Sequence, residues 1–427
     1  MRLDSNQILS HNDSFSAKHR ESFQFLNREL TDKGVDVESV ISQLQQFQVA
    51  IPSWALGAGG TRFGRFSIGG EPGDLYQKLA DISLINDLTG AAGAISLHIP
   101  WDIPDETSNL LDWAKECGIS FDAVNSNTFQ DQAEQALSYK YGSLCHTSSA
   151  VREQAIKHHV EVINYGKSLG SKSITIWLSD GSTFPGQLNF RQSLSRTKES
   201  LQEIYKHLPD DWKMFIEYKP YESQFYSTVV QDWGTSYLLA AACGEKAYSL
   251  VDLGHHLPNT NIEQIVATLL SLGKLGGFHF NDSKYGDDDL TVGSIKPYQL
   301  FLIFLELVSG TSDPSVLNPP ISYMIDASHN VKDPLEDLIQ SLEAILLSYA
   351  QALTVDFIKL DKLREKNDVT LAQELLQDAY RTDCRPLLRE ARIRKQAAYS
   401  PIGFYRENNL RQKLIQERGF SNRAKGL

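Results

Sequence analysis

The sequence predicts an α/β fold: a (β/α)8 (TIM) barrel with an N-terminal helical lead-in and a C-terminal helical extension. Eight short apolar runs alternate with longer helical patterns over about 300 residues. Strict alternation of strand and helix indicates a parallel sheet. Eight units of this length match a closed barrel better than an open doubly wound sheet. The predicted strands are residues 47–54, 94–101, 120–127, 173–180, 213–220, 248–256, 276–282 and 323–330.

The chain divides into three predicted parts, a helical segment over residues 1–46, the barrel over 47–345 and a helical extension over 346–427. After the last predicted strand, Asp333 and Pro334 indicate a helix start, because Asp caps helices well and Pro suits the first turn. Residues 356–427 hold 16 Lys or Arg against 10 Asp or Glu, with apolar residues at helical spacing. We expect this extension to pack on the barrel or, in an oligomer, on another subunit.

Composition limits the class of protein. The formal net charge of −12 over 427 residues argues against a general nucleic-acid binder, which needs clustered Lys and Arg. The four cysteines are scattered and form no CxxC pair, which favours a reducing cytoplasm over a disulfide framework or a Cys-zinc site. No signal peptide or membrane-spanning run is evident. We expect a cytoplasmic protein with small-molecule and metal partners, without nucleic acid or membrane.

Polar side chains lie late in four consecutive predicted strands. Glu217, Asp252, His279 and Asp326 each follow an otherwise apolar run. Barrel chemistry sits at the C-terminal ends of the strands, and successive strands are neighbours, so these four side chains can converge. Three oxygens and one imidazole suit Mn2+, Mg2+ or Co2+ better than structural zinc, which favours thiolates.

A second group of polar residues lies beside the first. Asp287 and Asp289 are two residues apart in the loop after the seventh strand, and with His255 they could hold a second ion bridged by Glu217. Lys219, two residues after Glu217, should share its face. The five carboxylates of both groups would carry about −5, and each like-charge pair at 4 Å costs about 4 kcal/mol. Two divalent cations nearly cancel that charge.

Each feature has a simpler interpretation when taken alone. A single strand-end Asp is often a cap, a lone barrel His is often a core residue, and the GDDD run at 286–289 is typical of a solvated loop. The glycine-rich segment 57–66 fits neither GxGxxG nor a P-loop, and we interpret it as an active-site loop carrying Arg62 and Phe63. Trp54, Trp101 and Trp177 at strand ends could form an aromatic wall facing a sugar.

Several long segments carry a resemblance to a known family. They are VAIPSWALGAGGTRF, SLHIPWD, FDAVNSNTF, SYKYGSL, DGSTFPGQ, YSTVVQDWGTSYL, LVDLGHHLPNTNIE, GKLGGFHFNDSKYGDDDL and MIDASHNVKDP. These segments resemble L-rhamnose isomerases of the bacterial type with broad aldose specificity. The resemblance covers nearly the whole barrel and weakens in the extension. It implies a xylose-isomerase-like barrel, usually a cytoplasmic homotetramer, with two divalent cations per subunit, Mn2+ foremost and Co2+, Mg2+ or Zn2+ as alternatives.

The resemblance also implies residue roles. A structural metal would be held by Glu217, Asp252, His279 and Asp326, and a catalytic metal by Glu217, His255 and Asp287 with Asp289 close by. The implied substrate-binding residues are Trp54, Phe63, His98, Trp177 and Lys219, with Phe129 contributed by a neighbouring subunit. The implied catalytic residues are Lys219, His98, Asp287, Asp289 and Asp326. Tyr218 departs from the family pattern, which has His there, but it should point away from the metals.

The implied reaction interconverts L-rhamnose and L-rhamnulose, with L-lyxose, L-mannose and D-allose as further substrates. Hydrogen would move between C1 and C2 either as hydride or through an enediol, and the sequence does not choose between them. Three other functions stay open. One is a ketose 3-epimerase on the same barrel, and another is a metal-dependent phosphodiesterase, for which the acidic chain lacks a basic groove. The third is a non-catalytic sugar-binding protein, against which the intact ligand set with Lys219 argues.

Overall fold

A computed structural model of the protein describes residues 3–57, 66–104, 109–133, 135–222, 227–327 and 331–420. Eight parallel strands close into a barrel in the order β1-β2-β3-β4-β6-β8-β9-β10 and back to β1, while β5 and β7 form a separate antiparallel pair. The strands are β1 (Ala50–Pro52), β2 (Ala94–Ile99), β3 (Ser120–Ser126), β4 (Ser173–Trp177), β5 (Gly181–Ser182), β6 (Lys213–Glu217), β7 (Ser227–Thr228), β8 (Ala247–Asp252), β9 (Leu275–Phe280) and β10 (Ser322–Ile325).

Helices surround the barrel and form both terminal segments. They are α1 (Ser5–Asp32), α2 (Val37–Gln46), α3 (Leu75–Thr89), α4 (Leu110–Cys117), α5 (Ser149–Leu169), α6 (Phe190–Tyr205), α7 (Trp233–Cys243), α8 (Ile262–Ser271), α9 (Pro297–Ser312), α10 (Pro334–Leu353), α11 (Phe357–Glu365), α12 (Val369–Arg381), α13 (Arg385–Arg394), α14 (Pro401–Glu407) and α15 (Leu410–Arg418). A short 3-10 helix, Ser53–Leu56, directly follows β1.

The predicted (β/α)8 fold is confirmed, and every predicted strand overlaps one barrel strand. The observed strands end one to five residues earlier than the predicted runs. Asp252 and His279 are direct register partners on β8 and β9, which places both at the same level. The pair formed by β5 and β7 was not predicted, since two residues in each strand are too few to show a period.

The terminal segments pack on each other as well as on the barrel. The lead-in begins at Ser5, where Asp4 caps α1 by accepting from the Asn6 N–H. Asn12 in α1 donates to the carbonyl of Ala397 at 2.9 Å and accepts from the backbone N–H of Tyr399 at 2.7 Å. The helix α10 spans the predicted boundary at residue 345, begins after Asp333 as expected, and buries much of its length.

The last helix returns to the connections above the barrel. Arg411 pairs with Asp333 at 2.5 Å, and Arg418 pairs with Asp81 at 2.7 Å. In this chain the extension therefore packs on its own barrel, one of the two arrangements expected of it. Among the described helices, no single one is long and apolar enough to cross a membrane, and one pair bent by 63°, Pro334–Leu353 with Phe357–Glu365, meets the length and composition test jointly.

Candidate active site

The structure brings together four of the predicted metal ligands. Glu217 ends β6, Asp252 ends β8, His279 lies near the end of β9 and Asp326 directly follows β10. One donor atom from each lies within 4.8 Å of the others. The first three side chains are almost fully buried and Asp326 is partly exposed. Strand alternation and the parallel register explain the convergence, because all four side chains point into the barrel at its C-terminal end.

The donor atoms face a common point without hydrogen-bonding one another. His279 Nδ1 lies 3.3 Å from Glu217 Oε1, 3.6 Å from Asp252 Oδ2 and 3.4 Å from Asp326 Oδ2. Within the part of the chain that the structure describes, Glu217 Oε1, Asp252 Oδ2 and His279 Nδ1 are buried and have no hydrogen-bond partner. Buried polar atoms without partners are costly. A divalent cation at their common point would satisfy all of them, so this donor set fits a metal.

The remaining oxygens of two ligands are held by neighbours. Asp252 Oδ1 accepts from the backbone N–H of Gly254 at 2.7 Å and from Asn281 Nδ2 at 2.9 Å. Trp54 Nε1 donates to Asp326 Oδ1 at 3.0 Å. Each of these carboxylates therefore has one oxygen fixed and one directed at the common point, which is how outer groups orient metal ligands. The sequence did not predict Asn281 as a site residue, although its i+2 spacing from His279 places it on the same face.

Charge coupling dominates the protonation of the cluster. Burial alone would raise the pKa of Glu217, but the facing His279 and His255 outweigh burial and lower it to about 2. Burial would also raise the pKa of Asp252, but the nearby His255 and His279 outweigh burial and lower that pKa. Burial favours a low pKa for His279, yet the carboxylates around it, Glu217 first, raise that pKa well above its ordinary value. The imidazolium therefore takes the place of a cation among the three carboxylates.

We expect cation binding to release about one proton near pH 7, because a ligating His279 must give up the proton that its raised pKa retains. The released proton comes from His279, because Glu217 is already ionised above its pKa of about 2. Affinity should rise with pH. Calorimetric titration with Mn2+ in two buffers of different ionisation enthalpy measures the release. A His279→Gln variant should release little, and a wild-type value near zero would contradict the assignment.

The second predicted ligand group is arranged differently. His255 Nδ1 lies 3.2 Å from Glu217 Oε1, whereas His255 Nε2 lies 3.1 Å from Asp287 Oδ1. The imidazole thus stands between the two carboxylates and touches each with a different nitrogen. Of the described residues, only the four donors named above form a group whose ligand atoms all lie within 4.8 Å of one another. The second ion therefore stays a prediction. Asp287 and Asp289 share the same loop, and both have left-handed backbone, with φ of 54° and 49°.

Lys219 is held between two carboxylates. Its side chain is 3% exposed, and its ammonium donates to Glu222 and to Asp287. The ammonium also lies 5.4 Å from the ring centre of Trp177, within cation–π range. The strand β7 supports this residue, because the Thr228 hydroxyl donates to the carbonyl of Lys219, and the backbone N–H of Lys219 donates to Val230 O at 3.0 Å just beyond β7. Glu222 was not predicted, and its i+3 spacing from Lys219 was the available signal.

Aromatic rings form a continuous row beside the ligands. Ring centres are 5.2 Å apart for Trp54 and His98, 4.6 Å for His98 and Trp101, and 5.2 Å for Phe129 and Trp177. Phe129 also lies 5.5 Å from His98 of its own chain. The structure therefore places Phe129 beside His98 and Trp177 of its own chain, and its contribution to a neighbouring subunit's site stays a prediction. Arg62 and Phe63 lie outside the described residues.

His98 is a neutral group in this wall. Burial lowers its pKa to about 4, only partly opposed by the nearby Asp102 carboxylate. Its Nδ1 is buried and has no hydrogen-bond partner among the described residues.

The middle carboxylate of the GDDD run has a structural role: Asp288 accepts from the backbone N–H groups of Lys284 and Tyr285 at 2.6 and 3.1 Å. Asp288 therefore stabilises its own loop, while Asp287 of the same run contacts Lys219 and His255.

Two known proteins are similar to this chain over most of its length. A probable sugar isomerase of Rhizobium meliloti is 49% identical over 410 residues, covering 95% of this chain and 95% of that protein. A probable sugar isomerase of Mesorhizobium japonicum is 49% identical over 393 residues, covering 92% of this chain and 91% of that protein. The chain belongs to this sugar isomerase family. No family model matches this chain.

Two solved structures are similar to this chain at low sequence identity. A D-psicose 3-epimerase from Clostridium cellulolyticum, solved with D-tagatose, gives a TM-score of 0.49 at 12% identity and covers 72% of this chain and 97% of its own. An L-ribulose 3-epimerase gives a TM-score of 0.46 at 13% identity and covers 76% of this chain and 98% of its own.

Proposed function

We propose that the protein is a metal-dependent aldose–ketose isomerase that interconverts L-rhamnose and L-rhamnulose. The observation that carries the proposal is the convergence of Glu217, Asp252, His279 and Asp326 within 4.8 Å. Two links join this cluster to the rest of the site. His255 connects Glu217 to the loop that binds Lys219, and Trp54 connects Asp326 to the aromatic row.

The four donors would hold a divalent cation, with Mn2+ expected first. Bound there, it would orient two sugar hydroxyls and stabilise negative charge that develops on the oxygen at C1 or C2. The protein's own contribution is rigidity, since Gly254, Asn281 and Trp54 hold the non-coordinating oxygens of Asp252 and Asp326.

Lys219 supplies a fixed positive charge. Glu222 and Asp287 hold its ammonium, and Trp177 limits its movement from another side. A buried ammonium aimed at a developing oxyanion stabilises it more strongly than an exposed one would, because little water competes. We therefore assign Lys219 to the oxygen that gains charge as hydrogen moves between C1 and C2, and Asp287 to the accompanying hydroxyl proton, with Asp289 close by.

The aromatic row would receive the apolar face of the sugar. Trp54, Phe129 and Trp177 offer broad apolar surfaces, and the neutral His98 can exchange a proton with the ring oxygen or the anomeric hydroxyl as the sugar opens. Asp326 is a second candidate for that step. Hydride transfer and an enediol both remain open, and turnover in heavy water separates them, since strong deuterium incorporation at the migrating position excludes an obligatory hydride shift.

The choice of L-rhamnose, with L-lyxose, L-mannose and D-allose as further substrates, is supported by the resemblance to L-rhamnose isomerases in the segments quoted above. The same resemblance supports a cytoplasmic homotetramer and a second cation held by Glu217, His255 and Asp287. That cation would be held by side chains that already contact one another, since the two nitrogens of His255 lie against Glu217 and Asp287.

We expect metal-stripped protein to lose aldose isomerisation and to regain it when Mn2+ is added back. Co2+, Mg2+ and Zn2+ should be tested separately on a panel of L-rhamnose, L-lyxose, L-mannose and D-allose, with products separated by chromatography. Formation of L-rhamnulose from L-rhamnose supports the proposal. Epimerised ketohexose from a free ketohexose, with no aldose–ketose interconversion, would contradict it in favour of a 3-epimerase. Activity that is unaffected by chelation would contradict the metal dependence.

A further inference from the structure

A buried carboxylate lies beneath the aromatic row. The side chain of Asp102 is 1% exposed, and three donors reach it. Lys78 Nζ donates to Oδ1 at 2.6 Å, the backbone N–H of His98 donates to Oδ2 at 2.6 Å, and Ser53 Oγ also donates to Oδ2. The backbone of Asp102 adds two contacts, an N–H donated to His98 O at 3.0 Å and a carbonyl that accepts from Tyr165 at 3.1 Å.

Two of the three donors come from the ends of neighbouring barrel strands, and the third, Lys78, comes from α3. Ser53 follows β1 and immediately precedes Trp54, while His98 lies near the end of β2. The rings of Trp54 and His98 are 5.2 Å apart with their planes at 57°. The Trp54 indole continues to Asp326 Oδ1 at 3.0 Å. One carboxylate thus connects the strand ends that present both rings, and through Trp54 it reaches a metal ligand.

We propose that Asp102, paired with Lys78, is a positioning residue that fixes the Trp54 and His98 rings against which the sugar is held. Its kinetic consequence rests on the proposed function. Asp102 has no described contact with the four converging ligand atoms, so it acts through Ser53 and the His98 backbone. The Asp102 carboxyl group is suited to the task because both of its oxygens accept, and one of its three donors is an ammonium.

An Asp102→Asn variant should break this arrangement with minimal change in shape. The amide offers one acceptor oxygen, and its NH2 would face either Lys78 or the donors from Ser53 and His98. In either orientation at least one donor loses its partner, and the neutral amide no longer attracts the Lys78 ammonium, so the ends of β1 and β2 are held less firmly. A displacement of about 1 Å in a substrate-positioning group can cost about 100-fold in rate.

Asp81 provides a matched control. It lies on α3, three residues after Lys78, its side chain is 2% exposed, and it pairs with Arg418 at 2.7 Å. Asp81→Asn therefore breaks an equally buried ion pair on the same helix. That pair anchors the C-terminal helix α15 rather than the ends of β1 and β2, so a general loss of stability would appear in both variants.

The test uses fluorine NMR of 5-fluorotryptophan-labelled, metal-free, full-length protein, in which the six Trp residues are the only labelled positions. We expect Asp102→Asn to shift or broaden the Trp54 and Trp101 signals, assigned by Trp→Phe variants, and Asp81→Asn to leave both unchanged. With Mn2+ restored, kcat/KM for the best aldose should fall about 100-fold in Asp102→Asn and less than about 3-fold in Asp81→Asn.

Unchanged Trp54 and Trp101 signals in Asp102→Asn, or an equal loss of kcat/KM in both variants, would overturn the positioning role. If Asp102→Asn does not fold, Ser53→Ala and Lys78→Met replace it, and unchanged signals in both would overturn the role. The fluorine measurement needs no turnover. An inactive wild-type protein would therefore refute the proposed function, while the NMR comparison still decides the role of Asp102.

Discussion

Replacing Glu217 by Gln is expected to lower kcat for aldose isomerisation at least about 1,000-fold. Glu217 Oε1 is the oxygen closest to His279 Nδ1 in the four-ligand cluster, and it also contacts His255 at 3.2 Å. The neutral amide is a weaker ligand and removes one negative charge from the set. Loss of a cation that stabilises charge by several kcal/mol costs about tenfold for each 1.4 kcal/mol. Product formation and Mn2+ content per chain measure the effect.

Glu306→Gln is the matched control for this experiment. Glu306 is half-buried on α9, and burial raises its pKa, but it lies outside the barrel mouth. The control should keep its Mn2+ content and a kcat within about twofold of wild type, as surface-side changes usually do. Retained activity and retained Mn2+ in Glu217→Gln would show that the cluster does not hold the catalytic cation.

Replacing Lys219 by Met is expected to lower kcat about 100- to 1,000-fold while Mn2+ stays bound, the range found when one preorganised oxyanion donor is removed. Met preserves much of the chain length and removes only the ammonium. The loss should fall on kcat more than on KM, because the ammonium is assigned to charge that develops in the transition state. Steady-state kinetics with metal analysis of the same samples separates this result from cation loss.

Lys274→Met is the corresponding control. Lys274 Nζ donates to the carbonyls of Gly244 and Ala247 at 2.8 and 2.9 Å, at the end of the barrel away from the ligand cluster. Its replacement should reduce stability with little effect on kcat. A Lys219→Met enzyme with wild-type kcat would remove Lys219 from the mechanism, and one without Mn2+ would show that Lys219 acts by supporting the metal cluster.

The barrel was predictable because its signals are short-range. The predicted strands are largely apolar runs of seven to nine residues, and several carry a polar residue late in the run that faces inward by strand alternation. Glu217, Asp252 and His279 therefore appear in the sequence as polar interruptions of hydrophobic runs. Parallel register then brings them together, and the direct pairing of Asp252 with His279 is the clearest case.

The contacts that the sequence could not specify depend on loops and on chain segments distant in sequence. Glu222 contacts Lys219 in the segment after β6, where a spacing of three residues does not by itself bring two side chains together. Asp102 pairs with Lys78, which lies 24 residues earlier in the sequence, and no local sequence pattern indicates that pair. The extension carried no signal for its own position, because helical spacing identifies an apolar face but not the surface that covers it. Arg411 and Arg418 found partners in Asp333 and Asp81 of the same chain.

Anomalous diffraction at the manganese edge, from crystals soaked with Mn2+, tests the central claim most directly. We predict a strong peak within coordinating distance of Glu217, Asp252, His279 and Asp326, at about 2.0–2.4 Å from each donor atom as expected for hard divalent cations. A peak elsewhere, or none at saturating Mn2+, would contradict the assignment of these four side chains as a metal centre.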